Sequence, residues 1–230
     1  MKAFRYFLKG LLTWLRWPIP QGPLQGMWFS LFSGMRFIRG TYDDDQVQMI
    51  LDELQPGDVF YDVGAHVGYY SLAASRRVGA QGSVVAFEPL PLNLRMLQGH
   101  VGVNRVANVT VIAAGVSDAP GEACFDLGKG TGRGRLAASS GGLRVSLVSI
   151  DDLVSRGTVR PPSFIKMDVE GAELRALQGA RHTLSERLPT LMLSVHSAQL
   201  KTDCSQFLRD VGYQLLPTTK PGQVLARRPA

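Results

Sequence analysis

Ten residues, Val59-Phe60-Tyr61-Asp62-Val63-Gly64-Ala65-His66-Val67-Gly68, constrain this chain more than any other segment. An apolar run breaks at a glycine and passes into a helical pattern, the strand–turn–helix with which open α/β sheets meet nucleotide-like ligands. Gly64 permits a tight turn and a close approach of backbone to ligand, and free N–H groups at the helix start are expected to receive an anionic group. Asp62 is expected at the strand end, facing the crevice. A dinucleotide fingerprint would place glycines at 64, 66 and 69, but His66 and Tyr69 stand at the last two of these positions. A pyrophosphate would meet side chains there, so a cofactor without one is favoured over NAD.

The rest of the chain repeats the alternation. The pattern predicts a helix over 43–54, a strand at 59–61, a helix over 67–78, a strand at 83–88, a helix over 91–101 and a strand at 108–113. It resumes with a strand at 163–168, a helix over 170–179, a strand at 190–196, a helix over 199–211 and strands near 213–217 and 222–228, with Pro221-Gly222 at the last turn. Strands separated by helices imply crossover connections and a parallel sheet, hence a doubly wound α/β fold. Residues 121–148 interrupt the rhythm and read as an inserted hairpin, apolar at 122–127 and 143–148, with a Gly-, Arg- and Ser-rich tip at 128–142. Ahead of the sheet, apolar and aromatic residues broken by glycines at 24–40 suggest a small hairpin, and residues 1–17 read as a basic amphipathic helix. The expected organisation is a 1–40 extension followed by a 41–230 domain.

Two acidic positions follow the glycine turn. Glu88 closes its strand about 20 residues after Gly68, the separation at which a carboxylate can hold ribose hydroxyls. Asp168 ends the run Phe164-Ile165-Lys166-Met167 and is followed by Glu170 and Glu173. The carboxyl ends of strands are where doubly wound sheets place their ligands, so Asp168 and Glu170 are expected to face the cofactor. Capping by Asp168, with the two glutamates favoured by the helix dipole, is compatible with that role.

The segments Gly40-Thr41-Tyr42, Gly57 to Ala65, Glu88-Pro89, Asn93, Asn104 and Ile165 to Glu173 together resemble the FkbM family of S-adenosylmethionine-dependent methyltransferases over roughly residues 38–197. The resemblance implies a Rossmann-like methyltransferase sheet, mostly parallel with one antiparallel strand near the C-terminal edge, and O-methylation as the commonest chemistry. With the turn and Glu88 it points to S-adenosylmethionine contacts at Asp62, Gly64, Ala65, His66, Gly68 and Glu88; it fixes no substrate, and the expected acceptor is a hydroxyl on a small molecule, sugar or glycan. Two departures stand out: His66 replaces the usual Asn, and Ser194 occupies the place, two before His196, where the family often has Glu.

Transfer of a methyl group to a hydroxyl needs in-line positioning and a base. His196, whose side-chain type titrates near 6.5, and Asp168 are the candidate bases, with Glu170 beside them. A divalent cation held by Asp168 and Glu170 is a third arrangement. His100 and His182 are expected on helix surfaces.

A formal charge of +6 favours anionic surroundings, yet no nucleic-acid motif accompanies Arg133-Gly134-Arg135, so no nucleic-acid partner is expected. Cys124 and Cys204 are far apart and in no metal-ligand spacing, consistent with a reducing, cytoplasmic location. Neither a signal peptide nor a membrane-spanning helix is expected, although residues 1–17 suit peripheral membrane contact. The competing reading is a membrane-associated scaffold on a degenerate methyltransferase fold.

Overall fold

A computed structural model describes residues 13–126, 135–137, 143–218, 220 and 222–229. Strands β1 (Arg16–Pro18) and β2 (Trp28–Ser30) pair antiparallel and are followed by helices α1 (Met35–Arg39) and α2 (Asp44–Glu53). Strand β3 (Val59–Val63), helix α3 (Tyr69–Val78), strand β4 (Ser83–Phe87), helix α4 (Pro91–Val103) and strand β5 (Val109–Ile112) then alternate. Four strands, β6 (Gly115–Val116), β7 (Gly121–Asp126), β8 (Arg135–Ala137) and β9 (Leu143–Val148), form a separate sheet. The alternation resumes with α5 (Ile150–Ser155), β10 (Phe164–Met167), α6 (Glu173–Gln178), α7 (Arg181–Arg187), β11 (Thr190–Ser194), α8 (Ala198–Asp210), β12 (Gln214–Leu216) and β13 (Gln223–Arg227).

The main sheet has the order β12-β13-β11-β10-β3-β4-β5, and only β13 runs against its neighbours. Its central strands are apolar on both faces because helices cover both. Phe60, Val84, Phe164 and Met192 pack into one cluster, while Val59, Tyr61, Val63, Val85, Ile165 and Leu193 pack into the other. Reversal of strand order between β4-β5 and β10-β11 leaves a crevice at the carboxyl ends of β3 and β10, where the glycine turn sits.

Several sequence expectations need correction. The N-terminal hairpin is built from 16–30 rather than 24–40, and α1 occupies the end of the expected range. A helix continuing to residue 17 is replaced by β1; residues 1–12 lie outside the described residues, as do Arg133-Gly134, Pro221 and most of the 128–142 tip. The helix expected over 170–179 begins only at Glu173, and α5 and α7 were not foreseen. No helix among the described residues is long and apolar enough to cross a membrane.

His100 is buried rather than on the surface, whereas His182 is exposed as expected. From α4, its Nε2 accepts the Ser30 N–H at 2.9 Å, so Nδ1 carries the proton and faces the Val67 carbonyl at 2.8 Å. Its ring stacks on Phe29 at 3.9 Å. One side chain therefore ties the hairpin to the glycine turn. Burial lowers its pKa from 6.5 to about 4. The unfolded chain takes up a proton near the ordinary value while the folded chain resists it, so stability is lost as pH falls from 6.5 towards 4. Relative to His100→Gln, the wild type should lose about 3 kcal/mol between pH 7 and pH 4. Urea unfolding at both pH values measures the difference, and parallel losses in the two proteins would contradict it.

Candidate functional site

The glycine turn is held by its own amides. Gly64 and Ala65 donate to the Phe87 carbonyl at 3.1 and 2.9 Å, Gly68 donates to Ala65 at 2.8 Å, and His66 donates to the Glu88 carboxylate at 2.8 Å. These four groups are spent on fixing the turn. Gly64 has φ +82°, and a Cβ there would lie 1.9 Å from the Asp168 carbonyl oxygen. Only glycine lets β3 and β10 end this close together. His66 adopts φ +53°, a left-handed conformation that Asn, Asp and His enter most readily among residues with side chains. His for Asn thus preserves the backbone, and the His66 ring lies 5.7 Å from that of Phe37.

Asp62 does not face the crevice. It is fully buried within β3, where its Oδ1 receives Lys166 Nζ at 3.1 Å and its Oδ2 receives the Ser71 hydroxyl at 2.6 Å. Lys166 stands directly opposite in the β3–β10 register, donates also to the Gly64 carbonyl at 3.0 Å, and lies 5.0 Å from the centre of the Tyr70 ring. Burial opposes its charge, but Asp62 and Asp168 outweigh burial and hold its pKa above the ordinary value. Gly68 likewise lies off the cavity wall; its φ of +87° starts α3, and a Cβ would strike Leu97.

The cavity over the turn is lined by Gly64, Ala65, His66, Glu88 and Asn93, and by Lys166, Asp168 and Glu170. Val116, Phe125 and Leu147 from the inserted sheet add an apolar wall, and Phe37, Tyr42 and Asp43 add a wall from the N-terminal side. Glu88 accepts from His66, from the Leu90 N–H at 2.9 Å and from Asn93 Nδ2 at 3.2 Å. Burial nevertheless raises its pKa to about 7, against the opposing pull of those donors and of Lys166.

The second cluster borders the cavity where β10 and β11 end. Glu170 has φ +52° and Gly171 φ +104°, a left-handed pair that delays α6 and turns Asp168 and Glu170 towards the cavity. Asp168 is therefore not the N-cap, a position taken by Ala172. Instead Glu173, fully buried, accepts the Gly171 N–H at 2.9 Å and receives His196 Nδ1 at 2.7 Å through the same oxygen, Oε1. His196 Nε2 lies 3.5 Å from Asp168 Oδ1 and 3.4 Å from Glu170 Oε2. With Glu173 ionised, Nδ1 is assigned the proton and Nε2 is left facing two carboxylates. This grouping, with each side chain about one-third exposed, has room for a hydroxyl proton at Nε2 or for a cation, since the ligand atoms of Asp168, Glu170 and His196 lie within 4.8 Å of one another.

Sequence reasoning placed Asp168, Glu170 and His196 and missed two residues. Glu173 had been read as a helix-dipole residue, and it supplies the carboxylate against His196 that Ser194 does not. Lys166 had a signal, a cation inside an apolar strand, but its partner is visible only in the register.

Residues 62–215 match the sequence pattern of the Methyltransferase FkbM domain. The hexuronic acid methyltransferase AglP of Haloferax volcanii is 27% identical over 76% of this chain and 71% of its own. The 31-O-demethyl-FK506 methyltransferase FkbM of Streptomyces tacrolimicus is 26% identical over 77% of this chain and 84% of its own. Among solved structures, the methyltransferase FkbM from Methylobacillus flagellatus superposes with a TM-score of 0.56 at 19% identity; the match covers 98% of this chain but spans only 60% of that one.

Removing one partner of the buried pair strands the other charge. Lys166→Met should cost about 3–5 kcal/mol, and adding Asp62→Asn should restore much of it. Urea unfolding of the two single variants and the double variant tests this; additive losses would show that the charges do not depend on one another.

Proposed function

The chain belongs to the FkbM methyltransferase family, and from that premise we propose that it transfers a methyl group from S-adenosylmethionine to a hydroxyl of a small molecule, sugar or glycan. The observation that carries the reading is His196, pinned through Nδ1 by the buried Glu173 with Nε2 turned to Asp168 and Glu170 at the rim of the cavity. The named substrates of the two relatives, a hexuronic acid and 31-O-demethyl-FK506, favour an oxygen acceptor.

The cavity suits the proposed cofactor. The buried Glu88 carboxylate would hold ribose hydroxyls, the apolar wall of Val116, Phe125 and Leu147 would cover a purine, and Gly64 leaves room that a Cβ would close. Ala65 and His66 would contribute backbone and ring surface. Asp62 and Gly68 would act by shaping the turn, with no direct contact. When bound, S-adenosylmethionine supplies an electrophilic methyl group on a sulfonium.

His196 Nε2 is the proposed base. It would take the hydroxyl proton as the acceptor oxygen bonds to the methyl carbon and the methyl–sulfur bond breaks, leaving the cofactor as a neutral thioether, and Glu173 would balance the imidazolium that results. Asp168 and Glu170 flank the same nitrogen and would align the hydroxyl, which supplies the orientation that an in-line displacement needs. A divalent cation on Asp168, Glu170 and His196 would instead occupy Nε2 and remove it as a base, so the two arrangements exclude one another.

Isothermal titration should show S-adenosylmethionine binding, and Glu88→Gln should weaken it at least roughly tenfold through loss of a charged hydrogen bond. Because Glu88 titrates at about 7, wild-type affinity should rise between pH 6 and pH 8 as the carboxyl ionises, with little slope in Glu88→Gln. Equal affinity and equal slope in both proteins would remove Glu88 from the site. Once an acceptor is in hand, His196→Ala should lower kcat by roughly 10²–10⁴-fold. Glu173→Gln should shift the pH–rate profile while cofactor affinity holds, and activity that survives EDTA favours the base while activity lost to EDTA and restored by magnesium favours the cation.

A further inference from the structure

The first 42 residues hold six cationic side chains, Lys2, Arg5, Lys9, Arg16, Arg36 and Arg39, and none of the chain's 19 acidic residues. The formal charge of +6 therefore resides entirely in this segment, and the rest of the chain is neutral by the same count.

The exposed apolar surface collects in the same place. Among the described residues the exposed large hydrophobics are Trp14 (67% exposed), Trp17 (59%), Trp28 (46%), Leu31 (44%) and Met35 (60%). The three tryptophans are all that the chain contains. Pairing of β1 with β2 holds them on one hairpin: Trp17 stands opposite Phe29 and Trp28 opposite Pro18, so the alternation of side chains displays the two rings on its two faces, and the Leu31 N–H donates to the Leu15 carbonyl at 2.8 Å. Asn104 fixes the Trp28 backbone, accepting its N–H at 2.8 Å and donating to its carbonyl at 3.0 Å. Ile19, Leu24, Met27 and Phe29 of the same hairpin are buried in the core, so the hairpin is anchored by one set of apolar residues and displays another.

We propose that this hairpin and the start of α1 dock on the surface of an anionic lipid bilayer. Cations without acids attract anionic headgroups, and indole rings settle where headgroups meet acyl chains. The aliphatic Leu31 and Met35 distinguish this surface from one made for nucleic acid, because they gain from hydrocarbon and cannot stack as aromatics do. A second copy is disfavoured as the occupant, because it would bring an equal concentration of positive charge. The contact is peripheral, as no described helix can span a membrane. It extends the basic N-terminal region to a folded surface, and it is independent of the methyl-transfer reading.

Because all three tryptophans belong to the hairpin and the residues just before it, native fluorescence reports on it directly. The full chain should float with vesicles of phosphatidylglycerol and phosphatidylcholine and fail to float with phosphatidylcholine alone. Acyl-brominated phosphatidylcholine in the mixed vesicles should quench the tryptophans, and 0.5 M salt should weaken binding. Trp17→Ser/Trp28→Ser should lower the partition coefficient by roughly tenfold or more, and Leu31→Gln/Met35→Gln, at sites that pair with no strand, should lower it in the same direction with the fold intact by circular dichroism. Flotation without quenching would overturn the proposal, because it would place the attraction in basic side chains alone. Failure to float, binding to single-stranded RNA in preference to vesicles, or self-association that buries the tryptophans without lipid would overturn it as well.

Discussion

The buried pair of Asp62 and Lys166 is the interaction on which the site depends. Two opposite charges in the centre of an apolar sheet are tolerated because every nearby partner is used: Asp62 receives Lys166 on one oxygen and Ser71 on the other, and Lys166 also reaches the Gly64 carbonyl. The parallel register that places residue 166 opposite residue 62 sets these contacts in advance. Lys166 thereby ties strand to turn, and Asp168, two residues on, emerges beside Gly64 with its backbone almost in contact. A hydrophobic pair of the same volume could hold the strands together, but it could not bond the Gly64 carbonyl. The charge pair therefore gives the end of β3 a defined geometry as well as cohesion.

Hydrogen bonding divides the cavity into two regions of different character. Around the turn, donors and acceptors are matched: four amides and the Glu88 carboxylate engage one another or neighbouring backbone. Towards β10, β11 and α4 the matching fails, and the buried atoms Asp168 Oδ1, Glu173 Oε2 and Asn93 Oδ1 have no hydrogen-bond partner. Buried polar atoms without partners are costly, so Asp168 Oδ1 and Asn93 Oδ1, on residues that line the cavity, mark surface that a bound molecule would complete. The matched region positions; the unmatched region is where chemistry has room to occur.

Much of this was legible in the sequence because the central strands are buried on both faces and read as unbroken apolar runs between turn signals. The expected mostly parallel sheet, antiparallel only near its C-terminal edge, is the sheet observed. Failures cluster where long-range contacts decide. The helix read over 170–179 starts late because the left-handed pair Glu170-Gly171 delays α6, and Gly179 then separates α6 from α7. The hairpin falls at 16–30 because Asn104 and His100, 76 and 70 residues away, grip Trp28 and Ser30, which no local pattern encodes. Glu173 read as a dipole residue because a carboxylate in a first turn needs no other explanation; only the fold brings His196 to it.

The N-terminal segment completes the cavity, and two of the contacts that tie it there reach the glycine turn itself. Phe37 of α1 sits against the His66 ring, and His100 joins the Ser30 amide to the Val67 carbonyl inside the turn. The second contact uses buried groups that have one good arrangement: the His100 tautomer is fixed by an N–H at one nitrogen and a carbonyl at the other, and protonation, resisted down to about pH 4, would leave the Ser30 amide without its acceptor. A signal passed along such a connection would require an element with two comparable packings. A histidine stacked on Phe29 and bonded at both nitrogens offers one. The segment thus works as a strut: it holds the turn in the conformation that the glycines permit, while its exposed tryptophans and Arg36 and Arg39 remain outside the core it helps to build.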